Sequence, residues 1–170
     1  MLLLPEVLNH FNLYNDAEKM IGQDGKIELP ELTMINDTLN GSGVLGEIED
    51  PVTGQFESAS MKIKWAVLHT DFFKLVSGPV NLTLRASLQC LDTETGVSDY
   101  YPCKVVVRGK AKTINLGSME KGKKMGCETE IEILYIKVTL DKETKIELDK
   151  LNFVYILNDV DMLEKIKSQI

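Results

Sequence analysis

A mainly β fold, a β-sandwich or small barrel with one or two short flanking helices, is what this 170-residue sequence predicts. Three observations carry the prediction. Apolar and polar residues alternate with period two in several separate stretches, which places one face of each stretch in a core. Short Gly, Asp, Asn and Pro signals separate those stretches, as turns do. Residues 128–157 read as two long strands around a tight polar turn, Asp141-Lys142-Glu143-Thr144.

In the first of those strands Ile131 and Ile133 share a face, with Glu128, Glu130 and Glu132 on the other. The phase then flips, so that Ile136, Val138 and Leu140 line the face opposite to Ile131. In the second, Ile146 and Leu148 alternate with charged residues, and Leu151, Phe153, Tyr155 and Leu157 continue one register later. A one-residue phase shift means that the buried face changes, through a bulge or through a strand that passes from one layer to another. A strand apolar on different faces along its length fits a subunit buried by its own core and by a neighbour. A bulge within a monomeric sandwich gives the same pattern.

Taken in order, residues 7–14 predict a first strand ending at the turn pair Asn15-Asp16, and residues 26–29 a neighbouring strand or hairpin partner after Asp24-Gly25. Pro30 ends that ladder because it has no N–H to donate. Residues 40–54 hold Gly41, Gly43, Gly46 and Gly54 around Asp50-Pro51. They form either a long loop or an extended arm, and segments of this kind tend to contact partners. Met61, Ile63, Trp65 and Val67 predict a half-buried strand. A short helix follows, with Asp71 as N-cap, an apolar stripe of Phe72, Phe73, Leu75 and Val76, and a stop at Gly78-Pro79. Leu82, Leu84, Ala86, Leu88 and Cys90 mark another strand, Asp92-Thr93-Glu94-Thr95-Gly96 a hairpin turn, and residues 105–116 the return strand, with Arg108, Lys110 and Lys112 on one face. Residues 117–126 are a charged, glycine-punctuated loop. A C-terminal helix over about 159–169, capped by Asn158-Asp159, carries Val160, Leu163, Ile166 and Ile170 as its apolar positions.

The length predicts one domain, residues 1–170, able to bury about 70% of its unfolded surface without a metal or disulfide. A net charge of −7 argues against nucleic-acid binding as the main business, since phosphate contacts need clustered Lys and Arg. It does not exclude a wall that DNA must slide past, where a non-sticky acidic surface would suit. Cys90, Cys103 and Cys127 are odd in number and share no metal-ligand spacing, which predicts free, buried thiols in a reducing compartment. Met1-Leu2-Leu3-Leu4 stops at Pro5-Glu6 with no basic flank, too short for an export signal, and no apolar run is long enough to span a bilayer.

Enzymatic chemistry is scarce. His10 and His69, the two histidines, lie in no metal spacing and beside no nucleophile motif. Gly41-Ser42-Gly43 lacks the Gly-Lys-Ser/Thr that closes a phosphate loop, and the Asp92–Gly96 turn lacks the ligand count of a calcium loop. The Glu128, Glu130, Glu132 row reads first as the wet face of a strand. The Arg108, Lys110, Lys112 stripe reads as a solvated face, or as a partner for acids on an adjacent strand or subunit.

Several of these residues resemble the major tail tube proteins of contractile phage tails, the P2-like group. Leu29-Pro30-Glu31-Leu32-Thr33 is similar to that family's Leu-Pro-x-Leu-Thr signature, and Gly41, Gly43 and Gly46 to its Gly-rich segment. The resemblance continues through Arg108-Gly109-Lys110, Lys112, Ile114, Gly117 and Glu120-Lys121-Gly122. It ends with Glu147-Leu148-Asp149, Asn152, Asn158, Val160-Asp161 and Leu163-Glu164. The family often has Gly where this chain has Asp159.

The resemblance implies a structural, non-enzymatic subunit without cofactors. It implies hexameric rings stacked into a hollow conduit for DNA, with a sheath protein, a baseplate initiator and a tape-measure protein as partners. Such a chain is made in the bacterial host cytoplasm and assembled into a tail, with neither sequence-specific DNA binding nor membrane insertion. On this reading Glu128, Glu130 and Glu132 face the lumen. Asn40, Gly41, Ser42, Gly43, Glu120, Lys121, Lys123 and Lys124 contact neighbouring subunits or rings. The tube of a phage-tail-like bacteriocin or another contractile injection system fits the same pattern. A monomeric β-sandwich binding module is the alternative of another class, and the scarcity of aromatics outside the apolar rows weighs against it.

Overall fold

The computed structural model describes residues 2–170, so Met1 of the Met1–Leu4 run lies outside it. Twelve strands and two short helices follow in the order β1 Leu3–Asn15, β2 Glu18–Met20, β3 Gln23–Glu28, β4 Met34–Leu39, β5 Ile48–Phe56, β6 Ser60–Trp65, α1 Thr70–Val76, β7 Pro79–Asp92, β8 Ser98–Asn115, β9 Cys127–Leu140, β10 Glu143–Asp149, β11 Val154–Leu157, β12 Val160–Asp161 and α2 Glu164–Lys167. Ten strands form one antiparallel sheet in the order β12-β11-β10-β9-β8-β7-β1-β2, with β6 and then β3 branching from β9. The protein is mainly β as expected, and the sheet does not close into a barrel.

β9 explains the phase flip. One of its edges is covered along its length by β8. The other is covered by β6 at residues 127–132 and by β10 at residues 135–140. Between the two partners Leu134 is an extra residue with no register partner on β8, a bulge that shifts the alternation by one residue. Ile131, Ile133, Ile136 and Val138 stay on one sheet face, opposite Ala111, Gly109, Val107 and Val105, so the expected change of buried face does not occur. Its backbone stays satisfied, because the Ile133 N–H donates to the Ala59 carbonyl at 2.9 Å and the Leu134 carbonyl accepts from the Lys150 N–H at 3.1 Å. Both branches close over one core, in which Leu13, Met61, Ile63, Trp65, Phe72, Leu82, Val107 and Ile131 are fully buried. Trp65 meets Phe72 edge to face, with ring centroids 6.1 Å apart.

Two-residue loops with positive φ at both positions join β1 to β2 (Asp16-Ala17), β9 to β10 (Asp141-Lys142) and β11 to β12 (Asn158-Asp159). These are type I′ hairpins, whose twist matches that of the strands. Asp159, at φ +62°, occupies the left-handed position where the resembled family often has Gly.

Several expectations are corrected. Residues 145–157 are two antiparallel strands, β10 and β11. The Asp149 carboxylate accepts from the Leu151 and Asn152 N–H groups at 3.0 and 3.1 Å and folds the chain back there. Leu151 and Phe153 therefore lie in an exposed turn instead of the apolar row. β1 begins at Leu3 and does not pair with β3, which pairs with β6. Val67 lies beyond β6 and is exposed. His69 caps α1, its Nδ1 accepting from the Asp71 N–H at 3.3 Å, while the Asp71 carboxylate accepts from the Ile21 N–H at 3.0 Å. The C-terminal helix shrinks to the single turn α2, because Asn158-Asp159 is a hairpin turn and Val160 and Asp161 form β12.

Candidate assembly surfaces

The segment expected as a loop or arm over residues 40–54 is an arm. Residues 48–54 belong to β5, which pairs with β4 in a separate two-stranded sheet. Its base is anchored. The Glu57 N–H donates to the Thr33 carbonyl at 2.8 Å, Phe56 stacks edge to face on Tyr155 at 5.0 Å, and Gly54 packs so closely that a Cβ there would lie 2.6 Å from Leu163 Cδ2. Beyond the base little covers it. Ile35, Leu39, Ile48 and Val52 are exposed, and Leu45 at the tip is entirely so. Asn40, Gly41, Ser42 and Gly43 form this tip, with Gly41 and Gly43 at φ +123° and +93°. A two-stranded hairpin is marginal by itself.

The arm segment also answers the question of charge. Residues 28–60 contain seven acids and no Lys, Arg or His, and the rest of the chain holds nineteen acids against nineteen bases. The whole excess of −7 therefore sits on this segment and its flanks, not on the Glu128, Glu130, Glu132 row.

That row is charge-matched. Glu128 and Glu130 stand opposite Lys64 and Lys62 across β6, and Glu132 stands opposite Lys110 across β8. Lys112 Nζ lies 3.3 Å from Glu132 and 3.8 Å from Glu130. The Ser60 hydroxyl donates to Glu130 at 2.7 Å and that of Ser58 to Glu132 at 2.8 Å. The Ser60 hydroxyl, opposed by partial burial and aided by Thr113, Lys112 and Lys62, holds the Glu130 carboxyl below the usual carboxylate range. The basic stripe thus meets the acids of the adjacent strand. Among the described residues no three His, Cys, Asp or Glu side chains converge on a metal-sized site.

The loop at 117–126 joins β8 to β9 as expected. Gly117 at φ +75° brings its backbone so close to that of Met125 that a Cβ would lie 2.2 Å from the Met125 carbonyl oxygen. Lys123 pairs with Glu120 at 2.8 Å and Lys124 reaches Asp24 at 2.6 Å, while Lys121 and Met119 project outward. The arm tip and this loop are separate surfaces.

One candidate surface escaped the sequence reading. The long strands β1, β7 and β8 run past the core, and β2 covers only residues 13–15 on the outer edge of β1. Residues 3–12 of β1 leave that edge open, with Leu2, Leu3, Leu4, Val7 and Leu8 exposed beside it. Such an edge is a template for another strand. The signal was the Leu2-Leu3-Leu4 run, legible only as a failed export signal until its place beside β7 is known.

Comparison with known proteins places the chain in a family. Residues 5–170 match the model of the phage tail tube protein FII family. The chain is 23% identical over 176 residues to the tail tube protein of Escherichia phage P2, covering 99% of both chains. It is 25% identical over 156 residues to the major tail tube protein of Serratia phage KSP20, covering 91% of this chain and 88% of that one. The chain belongs to the phage tail tube protein FII family, whose members are structural proteins of the tail and not enzymes.

Proposed function

We propose that the chain is the tube subunit of a contractile phage tail, and that its copies close into six-membered rings that stack into a hollow conduit for DNA. The open β1 edge over residues 3–12, with its exposed leucines, carries the reading. A neighbour's strand added there satisfies the backbone and removes an aggregation-prone edge. The arm tip (Asn40, Gly41, Ser42, Gly43) and the loop bearing Glu120, Lys121, Lys123 and Lys124 contact adjacent subunits or rings. Glu128, Glu130 and Glu132 line the lumen together with Lys62, Lys64 and Lys112. A mixed-charge wall gives phosphates no uniform basic track to hold. A sheath protein outside, a baseplate initiator at one end and a tape-measure protein within are the partners, and assembly follows synthesis in the host cytoplasm.

Negative-stain electron microscopy of the concentrated protein, alone and co-expressed with neighbouring baseplate genes, tests the reading. Rings or hollow tubes with six-fold end views are expected. Small monodisperse particles under both conditions would overturn it. For the lumen, a particle carrying Glu132→Lys should eject DNA more slowly, and unchanged injection would contradict that placement.

A further inference from the structure

The strand registers contain two anomalies of opposite sign. Directly opposed like charges destabilise a sheet. Among the described residues one register sets two acids face to face, Asp37 opposite Asp50 in the arm, and one sets two bases face to face, Arg85 opposite Lys104 between β7 and β8. All four side chains are exposed. Neither Arg85 nor Lys104 joins an ion pair among the described residues, and neither do Asp37 and Asp50. Arg85 lies over the Tyr14 ring, 5.5 Å from its centroid, a contact that leaves its charge without an acid. Nearby, Lys137 stands opposite Glu147, Arg108 stacks on Tyr135 at 3.9 Å, and Lys110 and Lys112 face the glutamate row.

We propose that the acidic arm of one copy lies on the β7–β8 face of another, with Asp37 and Asp50 paired to Arg85 and Lys104. The flanking residues fit. On the arm, Leu39 and Ile48 lie next to the acid pair on the same face. On the receiving face Arg85 stands between two shallow depressions, one lined by Tyr14, Asn81 and Thr83, the other by His10, Tyr100 and Pro102. The arm segment holds seven acids and no base, and Arg85–Lys104 is the pair of directly opposed bases in the strand registers of the described residues, so the two surfaces are complementary in charge. An arm on one side and a receptor on another make a head-to-tail contact, which generates rings or filaments. The contact rests on the tube reading and names the partner of the arm. Arg85 and Lys104 share the outward face of the sheet with the glutamate row. They lie beyond the Leu134 bulge, in register with Thr139 of β9, whereas the glutamate row lies before it.

Single charge reversals test the contact, because they act in opposite directions on monomer and assembly. Arg85→Glu places an acid opposite Lys104, and Asp37→Lys places a base opposite Asp50. Each should leave the monomer's Tm unchanged or higher and raise the concentration needed for assembly about tenfold. The complete swap, Asp37→Lys and Asp50→Lys with Arg85→Glu and Lys104→Glu, should restore assembly, and added salt should weaken assembly of the unmodified protein. Reversals that assemble like the unmodified protein overturn the contact while the tube reading stands, and slowed DNA ejection by such tubes would assign Arg85 and Lys104 to the lumen instead. A folded complete swap that does not assemble also overturns it. Failure of the unmodified protein to form any ring or tube overturns the tube reading and the contact with it.

Discussion

The strand pair β6–β9 and the hairpin β4–β5, which leads directly into β6, are opposites in physical character. In β6–β9 every second residue is buried against Trp65 and Phe72, and the outward residues form a ladder of glutamates and lysines in register. In the arm the apolar residues face outward and the charges are all of one sign. The charge ladder of the first region is matched within one chain. The second exposes apolar side chains and like charges, and the outer half of β1 exposes leucines beside an unpaired edge. The difference teaches where folding ends: the body buries its apolar residues and pairs its charges, and the flanks are left for the contacts proposed above.

This division is testable by substitution. The largest effect belongs to the body: Trp65→Ala should cost about 3–5 kcal/mol by chemical denaturation, since its indole is fully buried. Gly109→Ala comes next, at about 1–3 kcal/mol, because a Cβ there would lie 2.0 Å from the backbone oxygen of Glu132 and must push two central strands apart. A comparable loss from Leu45→Ser at the arm tip would break the comparison. That change should leave monomer stability within about 0.5 kcal/mol, and its effect should appear only in assembly.

The acid limb sharpens it further. The Glu130 carboxyl is depressed below its ordinary value of 4.5, so the folded state holds the ionised form more tightly than the unfolded chain does. Its contribution is present above about pH 4.5 and is lost as pH falls through the depressed value. Glu130→Gln should therefore flatten the decline of stability below about pH 4.5. A steeper acid decline in the Glu130 variant would contradict the ladder as drawn.

Local patterns predicted the body well. The alternation at Met61, Ile63 and Trp65 and the phase flip after Ile133 are properties of neighbouring residues, and the structure gives the flip its cause at Leu134. Pairing over long separations was less visible. Nothing in the residues around Gln23 says that β3 joins β6 instead of β1, because both strands offer an apolar partner face. The C-terminal helix failed for a different reason. The spacing of Val160, Leu163 and Ile166 suits a helix, yet left-handed Asn158 and Asp159 fold Val160 back onto β11 first. The candidate surfaces were legible in part. The glycines marked the arm, whereas the open edge of β1 and the opposed charges at Asp37–Asp50 and Arg85–Lys104 exist only once the register is known.

Amide hydrogen exchange, compared between soluble subunit and assembled tube, tests the central claim most directly. The account predicts that β6 to β9 are protected equally in both, whereas the N–H groups of residues 3–12 that point away from β7, and those of residues 34–56, exchange rapidly in the subunit and become protected in the tube. Protection of the arm and the β1 edge already in the subunit, or rapid exchange of both in the tube, would contradict it.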